Sequence, residues 1–357
     1  MTQSFHHMFW ARLVAAIVGV TWCLAGTLHA SDSDHGAASE GRIGTILMQT
    51  VLVEDQDDQP MAAGEAAARE LMAAIGDTPL QAVLVSECFE DLPWKQQLLQ
   101  GIGSVIPKER IFGSSTYGSF TQHGTAGFDS VSLLGIAGDG ISVSAALVTE
   151  MGVARLTFED SEPLIKERLH AVGKQLTDKL RRTDQDRLMI LLADAHSPQN
   201  KYLVEGVQQV VGPDFPITGG SANKNAGQTY VYFQGKAHAD SAVALMLSGD
   251  FQVSLSGRKA MENDQIIATA KDGAAEALAA MTGEPLGVLA FNCAGRRGRL
   301  HRPEDEWTAI RQALGEDLAL FGCYCAGEVG PLDPSEQVPG VLVGGSGWHV
   351  MFTVLGR

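Results

Sequence analysis

The sequence lacks most of the motifs that usually betray a chemistry. Five cysteines occur in 357 residues, and none falls into CxxC, CxxCH or paired zinc spacing, nor is there an HExxH. Four of them (Cys88, Cys293, Cys323 and Cys325) lie beyond the first thirty residues, too few to staple a scaffold of this length. Basic residues are outnumbered: 26 Lys and Arg stand against 42 Asp and Glu, for a formal net charge of −16. With no basic cluster to offset that charge, nucleic acid and anionic membrane surfaces are not expected as partners. No apolar run after residue 30 reaches the roughly 20 residues that cross a bilayer.

The first thirty residues contain no acid, and Arg12 is their sole Lys or Arg. An apolar run from Leu13 to Ala25 follows, and Ala30 closes it before a polar stretch. Basic end, short apolar run and small residue form the order of a cleaved signal peptide. We therefore expect residues 1–30 to be a signal peptide cut after Ala30, residues 31–42 a disordered linker, and the mature chain periplasmic or secreted, off the membrane. Leu28 is large for its place before the cut, and a retained membrane anchor is the alternative. Cys23 precedes Leu24-Ala25-Gly26, the wrong order for a lipoprotein box.

Beyond the leader, a unit of about a hundred residues recurs three times. Each copy opens with an apolar strand, at 43–53, 141–149 and 251–256. An amphipathic helix follows; in the second copy Ile165, Leu169, Val172, Leu176 and Leu180 recur at helical spacing, with Ser161 as its cap. A continuous apolar strand comes next, at 82–85, 188–192 and 286–291, as suits a strand buried on both faces. Polar loops SECFED, ADAHSP and FNCAGRR then lead to second helices starting near Pro93, Pro198 and Pro303. Each copy ends in a short strand and a glycine-rich turn: GSSTYGS, GGSAN and CYCAGEVGP. Further strands are expected at 130–137, at 229–233 with 241–247, and at 340–344. The stretch 348–355 reads as the opening strand of a missing fourth copy. The fold class is thus α/β, with three repeated strand-helix-strand-helix-strand units forming mixed sheets flanked by helices.

A right-handed strand-helix-strand connection places each polar loop beside its glycine turn, at the carboxyl edge that ligands favour in α/β sheets. The candidate ligand-binding residues follow from that pairing. They are Ser115 and Thr116 in the first copy, Gly219, Gly220, Ser221 and Asn223 in the second, and Asn292, Cys293, Arg296, Arg297, Gly327 and Glu328 in the third, and the pocket itself is expected in the third, where 292–297 meets 325–331. Exposed backbone N–H groups beside hydroxyls can hold a carboxylate or phosphate. A guanidinium can grip a carboxylate with two prongs, and Glu328 could accept from an ammonium group. The alternatives are close packing for the glycines and an internal Arg–Glu brace for the charged pair. Cys293 ends a strand next to that of Cys323 and Cys325, so a disulfide between them is open, as are buried thiols. A catalytic Cys293 would need a base, and His301 lies eight residues on. Single histidines such as His123, His196, His238 and His349 read as structural or solvated. A small-molecule binder is expected rather than an enzyme; a hydrolase or transferase using a Cys or Ser nucleophile in the glycine-rich loops is the alternative.

At these residues the chain resembles the FIST family of sensory proteins. The likeness lies in Gly113-Ser114-Ser115-Thr116-Tyr117-Gly118, in Gly219-Gly220-Ser221-Ala222-Asn223 with Thr229-Tyr230-Val231-Tyr232-Phe233, and in Phe291-Asn292-Cys293 with Gly327-Glu328-Val329-Gly330-Pro331. Ser119 stands where the family pattern carries an acid. The resemblance implies an N-terminal-type domain over 43–250, a C-terminal-type domain over 251–357, a small ligand such as an amino acid or a derivative, and a signalling protein partner. Some members bind haem; no histidine here is marked as its ligand, and no cofactor is expected.

Overall fold

The computed structural model describes residues 44–55, 57–223 and 229–357. The expected leader and linker lie outside the described residues. In the first unit the elements are β1 (Leu47–Glu54), α1 (Pro60–Ile75), β2 (Leu80–Glu87), α2 (Leu92–Gly103), β3 (Ile111–Ser115), β4 (Ser119–Thr121), β5 (Gly124–Ala126) and β6 (Ser130–Ala137). The second has β7 (Ile141–Val148), α3 (Phe158–Lys179), β8 (Asp186–Ala193), α4 (Asn200–Val211), β9 (Ile217–Ser221), β10 (Val231–Phe233), β11 (Lys236–His238) and β12 (Ala242–Gly249). The third has β13 (Gln252–Lys259), α5 (Asn263–Ala279), β14 (Pro285–Cys293), the single turn α6 (Ala294–Arg297), α7 (Pro303–Leu314), β15 (Leu320–Cys325), β16 (Glu328–Gly330), β17 (Gly344–Ser346) and β18 (His349–Gly356).

Three six-stranded mixed sheets result, ordered β1-β6-β2-β3-β10-β11, β7-β12-β8-β9-β16-β17 and β13-β18-β14-β15-β4-β5. In each, a parallel pair (β2–β3, β8–β9, β14–β15) carries the polar loop and the glycine turn at one edge. The closing strand of each unit lies antiparallel between the opening strand and that pair. The short hairpins are exchanged in a cycle. The first unit's β4–β5 extends the third sheet, the second unit's β10–β11 extends the first, and the third unit's β16–β17 extends the second.

The repeat is therefore present, with two corrections. The stretch 348–355 is the closing strand of the third unit, not the start of a fourth. The strand expected at 340–344 is the short β17, displaced by a loop of 13 residues (331–343) that the other two hairpins lack. In the second unit Ser161 sits at non-helical φ/ψ within α3, so the longer part of that helix starts there, with Pro163 in its first turn.

Continuous apolar strands are explained by two layers of packing. Ala82 and Leu84, Leu188 and Ile190, and Leu289 and Phe291 point inward and meet in one central core. Their neighbours Val83 and Val85, Met189 and Leu191, and Val288 and Ala290 point outward, onto α1–α2, α3–α4 and α5–α7 respectively. Alternate residues serve opposite faces, so no polar position remains in the run. Full burial of each large side chain contributes about 1.5–3 kcal/mol. None of the described helices is long and apolar enough to cross a membrane.

Candidate functional site

At the carboxyl edge of the third unit the charged groups close on one another. Asn292 accepts from the amide of Cys293 at 2.8 Å and from Arg296 Nε at 3.1 Å. Arg296 is wholly buried; it pairs with Glu306 of α7 at 2.9 Å and donates to the Ile266 carbonyl at 3.0 Å. Its internal brace is thus Glu306 rather than Glu328. Arg297 reaches the first unit, where it donates to the Tyr117 carbonyl and lies 5.4 Å and 5.2 Å from the Tyr117 and Tyr324 rings. Glu328 is also wholly buried, and its Oε2 accepts from the His349 amide at 3.1 Å. Burial pushes its carboxyl up to about 8. The neighbouring Cys293 thiol is pushed up to about 12, by burial first and then by Glu328. The four cysteines among the described residues are free and buried, and Cys323 and Cys325 have their sulfurs 3.6 Å apart.

The first unit closes in a similar way. Glu87, at the end of β2, accepts from Lys95 at 3.0 Å, from Tyr232 of the exchanged hairpin and from the Phe89 amide at 2.8 Å. Ser115 donates to the Asn223 carbonyl at 3.0 Å, and Thr116 to the Glu87 carbonyl at 3.1 Å. Both hydroxyls are buried and hold backbone.

The second unit is the exception. Its carboxyl edge holds a cleft of about 490 Å³ lined by Val153, Ala154, Arg155, Leu156, Asp194, His196, Gln199, Thr229, Ala239 and Asp240. Two carboxylates frame it. Asp240 accepts from the amides of Gly152, Val153 and Ala154 at 2.8, 3.3 and 3.4 Å, which shapes the loop after β7 around it. Asp194 accepts from the Asp240 amide at 2.9 Å and from the Thr229 hydroxyl. His196 Nε2 lies 3.6 Å from Asp194 Oδ1. Arg155 is exposed on the same wall and makes no ion pair among the described residues. A more open depression of about 670 Å³ lies at the opposite edge, beside Asp186, Arg187 and Asp214. The cleft is the stronger candidate because it combines the favoured sheet edge with converging charges of both signs.

The candidate residues of the second unit border this cleft without lining it. Ser221 donates to the Ala195 carbonyl at 2.6 Å and so holds the loop between Asp194 and His196. The Asn223 amide donates to Ser115 at 2.9 Å. Gly219 has φ 151°, and a Cβ there would stand 1.9 Å from the Leu191 carbonyl; at Gly220 it would stand 2.4 Å from Cys325 Sγ. Both glycines serve close packing. Of the polar residues that do line the cleft, Asp194 and His196 lie in the ADAHSP loop and Thr229 opens the stretch that resembles the family, whereas Arg155, Gln199 and Asp240 carry no motif. ADAHSP was the one available signal, a polar loop ending a buried strand with small alanines beside Asp194. Among the described residues no group of three or more His, Cys, Asp or Glu side chains could hold a metal ion.

Two of the three α/β units thus have edges closed by charge pairs, and the second has an open polar cleft. The chain belongs to the FIST family: the FIST N domain matches residues 81–271 and the FIST C domain residues 244–331. FIST domains are sensory, ligand-binding domains. No curated protein matches the chain. Among solved structures, a cyanuric acid hydrolase from A. caulinodans is 10% identical, with 88% of this chain and 100% of that one covered at a TM-score of 0.42. A thiamine-monophosphate kinase from Stenotrophomonas maltophilia is 11% identical, with 88% and 76% covered at a TM-score of 0.22. Likeness at that level carries no conclusion about activity.

Proposed function

We propose that this chain is an exported small-ligand sensor, and that the cleft of the second unit takes an amino acid or a close derivative. The observation that supports this most directly is the Arg155 guanidinium, without an ion pair among the described residues, on a wall shared with Asp194 and Asp240. A guanidinium suits a carboxylate, and the two acidic groups favour an ammonium at the other end. Ser221 and Asn223 keep the loops in place. Export is read from the apolar leader and places the sensor in the periplasm or outside the cell, where a protein partner would receive the signal. The hydrolase or transferase alternative is weakened by Cys293: a nucleophilic thiol needs its pKa lowered, and here it is pushed up to about 12.

Native mass spectrometry of protein purified from its own host identifies what travels with it. Calorimetric titration of that molecule against Arg155→Ala then tests the site. Loss of one charged hydrogen bond, about 1.5–3 kcal/mol, weakens binding roughly tenfold to a hundredfold. Unchanged affinity in a normally folded variant would place the ligand elsewhere, with Arg297 and the third-unit edge next to be tested.

A further inference from the structure

The wall of the cleft is held from outside its own unit. The Ser197 amide donates to the Ala326 carbonyl at 3.0 Å, the Ser221 amide to Gly327 at 2.7 Å, and the Ala326 amide back to Ser221 at 3.0 Å. Asn200 Nδ2 donates to the carbonyls of Glu328 and Ser346, each at 3.0 Å. Contact is so close at Gly327, where φ is 156°, that a Cβ would stand 2.8 Å from the Ser197 nitrogen. The strip 194–200 that carries Asp194, His196 and Gln199 is therefore stitched to the third unit's exchanged hairpin.

At the root of that hairpin sits a carboxyl group with an incomplete set of partners. Glu328 Oε2 has the His349 amide, whereas among the described residues the buried Oε1 meets no well-aligned N–H or O–H donor; the Cys293 thiol and the residue's own amide lie beside the carboxyl. The groups facing it are the thiols of Cys293 and Cys325, the backbone of His349 and the more distant Arg296. Arg296 is already paired with Glu306. The His349 ring points away, to the Gly347 carbonyl and towards Glu336, with Lys259 and Asp333 beyond. Among the described residues no cation makes an ion pair with this carboxyl, the Arg296 charge acting only from a distance, and an uncompensated buried charge is strongly unfavourable.

We infer that Glu328 is a proton-operated latch: neutral, it seats the exchanged hairpin against the strip 194–200; ionised, it unseats the hairpin and loosens the cleft. Burial places the titration near pH 8. The consequence for ligand rests on the cleft being the binding site; the latch itself does not.

The test is amide hydrogen exchange on the full chain at pH 6 and pH 9, expressed as protection factors that remove the intrinsic pH dependence. We expect protection at Ser197, Ser221 and Ala326 to fall at least tenfold between the two in wild type, and to stay constant in Glu328→Gln. Equal wild-type protection at both pH values overturns the latch, as does an equal fall in Glu328→Gln. Should that variant fail to fold, wild type alone decides. A loss confined to these amides, with those of β2 and β14 unchanged, supports the latch; a uniform loss overturns it. Titration with L-alanine at the same two pH values separates the two readings. Tenfold weaker binding at pH 9 in wild type and not in Glu328→Gln supports the coupling, and pH-independent binding overturns it. No L-alanine binding at either pH, with the exchange result as expected, removes this ligand from the cleft and leaves the latch standing.

Discussion

The second and third units share a topology but differ at one buried position in the first turn of their second helices. In the third, Glu306 of α7 draws in Arg296 and the Tyr324 hydroxyl, at 2.9 Å and 3.3 Å. In the second, Asn200 of α4 is neutral and bonds only to main-chain carbonyls of the exchanged hairpin. The first unit resembles the third, with Lys95 of α2 on Glu87. A charged residue at this position recruits a partner of opposite sign, and the pair fills the sheet edge. The neutral amide recruits none, and the edge of the second unit stays open to solvent around Asp194 and His196.

The sharpest way to break this comparison is to remove one member of a pair. Glu306→Ala leaves Arg296 buried and uncompensated, and should cost about 3–5 kcal/mol of stability. Asn200→Ala removes neutral hydrogen bonds and leaves two carbonyls to find water, about 1–3 kcal/mol. Urea denaturation of both variants checks the order. A milder effect at Glu306 than at Asn200 would mean that the pair does not hold the third edge.

Next in size is the pH dependence of the third unit. The folded pKa of Glu328 is raised from the ordinary 4.5 to about 8. The proton is thus bound more tightly in the folded state. The associated stability is fully present below about pH 4.5, declines as the unfolded chain ionises, and is gone above about pH 8. Across that window the loss is of the order of a few kcal/mol. Asp186 and Asp333 have lowered pKa values and contribute with the opposite sign, at acid pH. The difference between wild type and Glu328→Gln isolates the glutamate: the wild-type curve should fall relative to the variant between pH 5 and 8. Parallel curves would mean that the buried carboxyl is solvated.

Much of this architecture was legible in the sequence because core strands announce themselves. The runs 82–85, 188–192 and 286–291 are apolar throughout since both faces are buried, and helical spacing marked Ile165, Leu169 and Leu176. The exchange of hairpins was not legible. β4, β10 and β16 are three residues each, too short for any periodicity, and their partners lie in other units. The inserted loop 331–343 pushed the last strand out of phase and made it resemble a new copy. At the site, the glycine turns and Asn292–Cys293 marked sheet edges, but the pocket expected in the third unit is not there: the buried Arg296–Glu306 pair closes that edge, and the open cleft lies in the second. That depends on Asn200, Lys95 and Glu306, single buried residues whose partners only tertiary structure supplies. Arg155 sits in a loop with no pattern.

A smaller effect, on binding rather than stability, is expected of haem. No histidine is placed as an axial ligand by any motif, and the cleft around His196 carries Asp194, Asp240, Arg155, Gln199 and Thr229 beside four small or aliphatic residues. We expect purified protein to be colourless and to show no Soret band with equimolar haem. A stoichiometric complex would move the functional site away from the polar cleft and towards a haem-sensing role.

The smallest expected effect separates the sensor from the enzyme, and it is a reaction that should barely occur. Cys293 ends β14 and, at 8% exposure, is the least buried of the four described cysteines. Its reactivity is limited by the thiolate fraction. An ordinary thiol near 8.5 is about one-tenth ionised at pH 7.5. With the Cys293 thiol pushed up to about 12, the thiolate fraction is smaller by roughly a thousandfold or more on the same scale. Cys88, raised to about 12 by burial and by Glu87, should be equally slow. Native protein treated with iodoacetamide at pH 7.5 should stay unlabelled over the time in which urea-unfolded protein takes up label at Cys88, Cys293, Cys323 and Cys325. Rapid, selective labelling of Cys293 in the native state would show a thiol activated by its surroundings. The closed edge of the third unit, and not the open cleft of the second, would then be where chemistry occurs.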